Sequence, residues 1–493
     1  MLIILFMENE SSSYKSILKA TSLFGGVQIF NILIAIAKSK LVAVLIGPAG
    51  MGIYGLFMST ISLISNSTNF GLQTSSVRNI SESVEKNDSE NKSLTISVLN
   101  KLLWITGTFG LIITLILSPY LSFACFGNYE YSLSFICLSI TVLLSQLNGG
   151  QNSMLQGTRS WKHLAKSNMF GSLFGLLFSL PFYFYLRLNG IVPAIIVASI
   201  FSLFFSWLYS KKVDYKRIKL DFKDVLRHGK GMIFLGLALS FSGIISLLVS
   251  YIIRLFISRS GSLADVGLYN AGYTIINTYV GMVLTSMSTD YFPRLAGISA
   301  DNSKCEELIN KQTRIVLLLL TPLLLFFFIF SKIALSLLYS DKFLPVSGMV
   351  KWAALGMFFR AISWCVSFVF VAKGDSKLFF VNELISNISY LFFSLLGYSI
   401  KGLDGLGYAF LATYIVYTIQ CFFISKYKYK FSYEKAVVKQ SSFQFIILIV
   451  CFMLCFCSVE YERIQIILQL ILLIFSFFYS LFKLKALMTI KNK

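Results

Sequence analysis

The sequence predicts an all-α integral membrane protein with about fourteen transmembrane helices, two repeated six-helix lobes and a C-terminal helix hairpin. Three observations predict it. Hydrophobic residues make up 56% of the chain and aromatics 16%, at a mean hydropathy of +0.74, more apolar surface than a soluble domain can hide. That surface comes in long runs separated by short polar segments, the length needed to cross a ~30 Å hydrocarbon core. Two stretches also read as copies of one another: Lys40 to Gly52-Ile53-Tyr54, ending in Arg78, and Arg254 to Gly267-Leu268-Tyr269, ending in Arg294.

Taken in order, the apolar runs are 20–46, 53–73, 97–117, 131–152, 168–186 and 191–209 in the first lobe. The second lobe has 231–257, 266–290, 313–330, 347–371, 378–398 and 405–424, and the hairpin has 443–458 and 464–486. The predicted organisation is a lead-in 1–14, an N-lobe 15–210, a basic linker 211–230, a C-lobe 231–424, a loop 425–442 and a hairpin with tail 443–493. The stretch Met1–Phe6 lacks the basic flank and cleavage site of a signal peptide, so Met7 is an alternative start. No loop between spans is long enough for a soluble catalytic domain.

The net charge of +21 comes from only 13% charged residues. With the N-terminus inside, the inside loops gather about thirty Lys and Arg, including the dense 211–230 segment, and the outside loops about six. Both termini are therefore expected in the cytoplasm, and 211–230 is expected as an anchor on anionic headgroups. Nucleic acid as a partner is set aside, because the cations lie in short loops between apolar runs and not on one soluble face. The eight cysteines show no paired spacing in outside loops, and the two histidines lie in loops. No metal site, cofactor site or hydrolytic triad is expected.

Function is read from the charges inside the runs, since each ionisable group at a helix centre costs about 2.5–3.5 kcal/mol on insertion scales. Asn31 and Lys38 are seven apart and fall within about 20° on a helix, with Gln28 a turn earlier, forming a polar stripe. Lys40 points about 200° from Lys38, so either one snorkels or the helix bends. Arg254 stands seven residues before Gly261, as Lys40 stands seven before Gly47, and Arg360 sits deep in its run. These four cations, with Arg78 and Arg294 at inner helix ends, are the candidate ligands for an anionic group. Asp290 and Glu383 are candidates for pairing with a cation or for carrying a coupling proton. Repeated helices with matching intramembrane charge point to a two-lobed transporter of an anionic amphiphile.

The segments IGPAGMGIYG, LYSDKF, VAKGDSKLFFVNE and GLDGLGYAFLATYIVY, in this order, resemble the Wzx-type flippases of O-antigen and related polysaccharides, close to the enterobacterial common antigen flippase, over residues 15–425. The resemblance implies the multidrug/oligosaccharidyl-lipid/polysaccharide (MOP) exporter fold, two six-helix lobes in a MATE-like V that alternates between inward-open and outward-open. It implies an undecaprenyl-diphosphate-linked oligosaccharide as substrate, flipped from the cytoplasmic to the periplasmic leaflet of the bacterial inner membrane, with a polysaccharide polymerase and chain-length regulator as further partners. Lys40 matches a Lys before that family's LxAVxxGPAG turn, and Glu383 matches the Glu of its LRFYxxAE-like segment. The hairpin 443–486 departs from twelve-span members, though the related lipid II flippases also have fourteen spans. A multidrug exporter of the same fold and an O-antigen polymerase are the alternative readings.

Overall fold

The computed structural model describes residues 12–456 and 462–489. The alternative starts Met1 and Met7 lie outside the described residues, as does the side chain of Gln28. The described residues are helical apart from short connections, with no strand among them. Fourteen α-helices follow in order: α1 (Ser12–Thr68), α2 (Leu72–Glu85), α3 (Ser89–Phe126), α4 (Ser132–Gly157), α5 (Trp161–Leu186), α6 (Ile191–Ser210), α7 (Phe222–Ser260), α8 (Leu263–Thr274), α9 (Met282–Gly297), α10 (Asn302–Leu338), α11 (Ser347–Ala372), α12 (Ser376–Tyr429), α13 (Lys435–Leu454) and α14 (Glu462–Thr489).

These helices are not the fourteen apolar runs one for one. Ten helical stretches among the described residues are long and apolar enough to cross a membrane. Three of them run through a break. The stretch Leu33–Thr68 breaks at Gly47, whose φ of 67° lies in the left-handed region that glycine adopts without strain, and Pro48 follows where a restarting helix needs no N–H donor. Ser376–Tyr429 breaks at Lys401–Gly402, where Gly402 has φ 56°. Trp161–Ser210 contains the 3-10 turn Arg187–Gly190.

The chain forms two compact units. The first comprises residues up to Ile46 together with Leu56–Leu247, and the second comprises Gly47–Gly55 and Leu248–Lys493. In the first unit, α3 and α4 close tightly because Gly107 and Gly110 carry no Cβ; one built on Gly107 would stand 2.6 Å from Leu143 Cδ1. The polar contents of this contact are satisfied by Gln146, fully buried on α4. It accepts from the Thr106 hydroxyl at 2.8 Å and donates to Thr68 Oγ1 at 2.7 Å. In a lipid surround an unmet amide there would be costly.

At the end of this unit where α3 begins and α4 and α6 finish, Leu72, Ile80, Leu99, Leu103 and Met154 form a buried cluster with Val225 and Met232 of α7. Over it runs 211–221, the first half of the basic 211–230 segment predicted as a linker; the rest of that segment begins α7. The 211–221 half is an extended strap laid along α3. Its Lys216 and Ile218 N–H groups each donate to a serine hydroxyl of α3, Ser93 and Ser97, at 3.1 Å. Val213, Tyr215 and Leu220 pack onto the cluster, with the alternation interrupted at Lys216-Arg217, and Lys212, Asp214, Lys216, Arg217 and Lys219 are exposed.

In the second unit the two repeats meet. A Cβ on Gly52 would stand 1.8 Å from the Leu263 carbonyl oxygen, and one on Gly267 would stand 1.9 Å from the Pro48 carbonyl oxygen. Pro48 lies four residues before Gly52 and Leu263 four before Gly267, so the contact is reciprocal, backbone on backbone, between equivalent positions of the internal repeat. The next equivalent pair continues it, since a Cβ on Gly55 would stand 2.0 Å from Asn270 Nδ2.

Candidate functional site

The same helix that makes the glycine contact presents a polar face on from it. Asn270, Tyr273 and Asn277 are spaced three and four residues apart, one stripe of a helix. Beyond Thr274 the backbone widens into a π-helical turn, Ile275–Val280, which carries Asn277. Such turns are rare and appear mostly as single bulges within α-helices.

Each end of this stripe holds one guanidinium. Arg254 of α7 donates through Nε to Asn270 Oδ1 at 2.7 Å, and through Nη1 to the Ser250 carbonyl oxygen at 2.8 Å and to the Ser250 hydroxyl. Its guanidinium carbon lies 5.6 and 5.8 Å from the ring centres of Tyr269 and Tyr273. Arg360 of α11 donates through Nη1 to Asn277 Oδ1 and lies 5.3 Å from the ring centre of Tyr414. Every one of these partners is neutral. Amide oxygens and ring faces orient a guanidinium and offset part of its desolvation, yet provide no ion-pair partner.

Arg360 lines a cavity of about 310 Å³ with Ser363, Trp364, Ser367, Tyr414 and Tyr417, and Glu383 forms part of the same wall. Glu383 makes no ion pair with Arg360; its carboxylate accepts from the Tyr417 hydroxyl at 2.5 Å. Tyr417 is held in turn by Asn382, whose Nδ2 donates to it at 3.1 Å, and Asn382 accepts from Gln420 at 2.8 Å. A cation and an anion thus share one cavity, each kept in place by neutral groups. Such a space can take up a proton or an anionic group without breaking a salt bridge.

The remaining candidates make none of these contacts. Arg294 and Asp290 form an exposed i, i+4 pair on α9 at 2.9 Å, an arrangement of small energetic weight. Arg78 is exposed on α2. Asn31, Lys38 and Lys40 lie half-buried on α1 in the first unit, and Asn31 Oδ1 is buried without a hydrogen-bond partner. The residues that sequence reasoning missed are Ser250, Asn270, Tyr273, Asn277, Tyr414 and Tyr417. The three-four spacing of Asn270, Tyr273 and Asn277 inside an apolar run was the available signal.

A family model described as "Polysaccharide biosynthesis protein" matches residues 41–348, well over half the chain. The chain belongs to this polysaccharide biosynthesis protein family. It is 24% identical over 380 residues to a Shigella flexneri protein named "Putative O-antigen transporter", covering 75% of this chain and 89% of that one. It is 23% identical over 396 residues to the "Lipid III flippase" of Escherichia coli K12, covering 78% of this chain and 91% of the relative. Among solved structures, the lipid II flippase MurJ in an inward closed conformation matches with a TM-score of 0.72 at 15% identity, over 93% of this chain and 97% of MurJ. An inward-facing multidrug resistance MATE family transporter of the MOP superfamily matches at 0.65 and 16%, over 83% and 96%. This member of the polysaccharide biosynthesis protein family therefore has the MOP fold that its motifs led one to expect. MurJ and MATE transporters both share that fold, so the fold alone does not choose between their substrates.

Proposed function

We propose that this chain is a flippase for a polyprenyl-diphosphate-linked oligosaccharide, a surface polysaccharide repeat unit, carried from the cytoplasmic to the periplasmic leaflet of a bacterial inner membrane by alternating access. The observation that carries the reading is the pair of guanidiniums, Arg254 and Arg360, held by neutral partners along one helical stripe. An exporter of organic cations has no use for two guanidiniums without ion-pair partners at its site, whereas a diphosphate needs such groups to leave water. The names of the relatives point the same way. A strain deleted for the gene should accumulate lipid-linked oligosaccharide while losing surface polysaccharide. Intact surface polysaccharide together with new sensitivity to organic cations would favour a multidrug exporter instead.

The orientation is tested on the strap. Single cysteines at the exposed positions Lys212 and Lys401, on a cysteine-free background, should label oppositely with an impermeant thiol reagent in intact cells: Lys401→Cys reacts and Lys212→Cys does not. Reaction at both would overturn the proposed cytoplasmic placement of the strap.

Coupling is assigned to Glu383, the carboxylate on the cavity wall beside Arg360. Glu383→Gln keeps the Tyr417 hydrogen bond but cannot exchange a proton. Flipping in proteoliposomes should then lose its dependence on an imposed pH gradient while substrate binding persists. If gradient dependence survives in Glu383→Gln, the carboxylate only positions Tyr417.

A further inference from the structure

The first unit carries a second, larger cavity that neither the guanidinium stripe nor the repeat contact accounts for. It measures about 1700 Å³, beyond the roughly 300–1000 Å³ of a pocket for a drug-sized ligand. Its floor and one wall are apolar and come from three helices: Trp104 and Ile105 of α3, Leu144 of α4, and Ile200, Phe204 and Trp207 of α6. Trp104 is 57% exposed and Phe204 46%, so about half of each ring is left uncovered by protein. The remaining wall is the strap, and there the lining changes character. Lys101 of α3 joins Lys211, Arg217 and Lys219 around one rim, with no carboxylate among the lining residues. Asp214 and Asp221 lie on the strap but do not line the cavity.

The rim is built and not a loose collection of lysines. The strap backbone is tied to Ser93 and Ser97, Lys101 donates to the Leu220 carbonyl oxygen, and Asn100 reaches the Tyr215 hydroxyl at 3.4 Å. Lys211 Nζ sits 3.4 Å from the centre of the Trp207 ring, so an indole and an ammonium face the cavity as one unit. Apolar walls below tryptophans, with cations above them, reproduce the layering of a membrane interface, where acyl chain, belt and anionic headgroup follow in that order.

We infer that this cavity is a binding site for an anionic phospholipid, its phosphate held by Lys211, Arg217 and Lys219 of the strap and its acyl chain laid against Trp104, Phe204 and Trp207. The inference requires only that the chain sits in a bilayer and is independent of what it translocates. Occupancy ties the strap to α6 as well as to α3, so the lipid composition of the leaflet sets how firmly this end of the unit is closed.

The test uses full-length protein in mixed micelles, on a background in which Trp161, Trp352 and Trp364 are replaced by Phe, so that fluorescence reports Trp104 and Trp207. Brominated phosphatidylglycerol should quench at a lower mole fraction than brominated phosphatidylcholine. The triple variant Lys211→Gln, Arg217→Gln, Lys219→Gln should weaken that preference by on the order of 10- to 100-fold, since each cation near an anionic surface adds to affinity. The triple variant Lys223→Gln, Arg227→Gln, Lys230→Gln removes the same charge just outside the cavity and should keep the preference. Equal quenching by the two lipids, or equal loss in both variants, overturns the site. So does displacement of phosphatidylglycerol by geranyl diphosphate at lower concentration than by unlabelled phosphatidylglycerol, which would make the cavity a substrate portal. Native mass spectrometry of the unmodified protein, free of the tryptophan replacements, should likewise find more phosphatidylglycerol retained than phosphatidylcholine; equal retention overturns the site.

Discussion

Arg254→Gln and Arg360→Gln should each abolish most surface polysaccharide at wild-type protein abundance. A guanidinium that takes phosphate in a partly dehydrated site contributes charge-assisted hydrogen bonds of roughly 1.5–3 kcal/mol. Losing them weakens substrate binding by about 10- to 150-fold, at 1.4 kcal/mol per decade. Lysine at either position should rescue in part, because it keeps the charge and loses the fork. Arg254→Lys also forfeits the geometry that reaches Asn270 and Ser250 together, so it should be the poorer of the two. The measurements are surface polysaccharide and membrane abundance on the same cells. Normal polysaccharide from both glutamine variants would mean that these cations serve the fold alone, and the diphosphate would have to be sought near Lys38 and Lys40.

Gly267→Ala and Gly52→Ala should each be strongly destabilising. In each a methyl group would enter a space 1.9 or 1.8 Å from a backbone carbonyl oxygen, and backbone cannot rotate away as a side chain can. Overpacking of this kind costs about 1–3 kcal/mol, and more where the surround is rigid. Gly243→Ala is the matched control: it sits in α7 with nothing within 4 Å of the new Cβ, and helix propensity favours the alanine. Thermal unfolding in detergent should drop for the first two and hold for the third. The double variant should cost less than the sum, because both single changes force apart the same pair of backbones. Unchanged unfolding of Gly267→Ala would deny that the crossing is tight.

The membrane helices were legible because apolar length is a property of single segments. Their ends were not. The α3 and α10 helices begin at Ser89 and Asn302, about two turns or more before the apolar runs at 97 and 313, since helix continues until a cap stops it. The caps are Asp88, accepting from Asn91 N at 2.9 Å, and Asp301, accepting from the Ser303 and Lys304 N–H groups. Hydropathy is silent about such polar turns. The expected span 266–290 likewise conceals α8, a π-helical turn and α9, because a widened turn leaves composition unchanged.

The candidate site divides in the same way. Arg254, Arg360 and Glu383 could be picked out singly, as charges where charge is costly. What each one touches could not. Asn270, Tyr273 and Asn277 belong to a helix of the second repeat, whereas Ser250, Tyr414 and Tyr417 come from α7 and α12, and only tertiary packing brings them to the guanidiniums and the carboxylate. The repeat was the long-range relation already visible in the sequence, and the crossing at Gly52 and Gly267 is where it becomes a contact.

That crossing also bears on how the protein is made. Gly267 follows Gly52 by 215 residues, so on the ribosome the segment Gly47–Gly55 is inserted long before its partner exists. By the time residue 232 has been added, the first unit already has the strap, Val225 and Met232 needed to complete its buried cluster. Domains tend to fold in the order of synthesis. The small-residue face of Gly52 and Gly55 must therefore wait unpacked, exposed to any other close-packing helix, until α8 emerges. Variants that slow the arrival of α8 should be recognised first by quality control and only afterwards by any loss of transport.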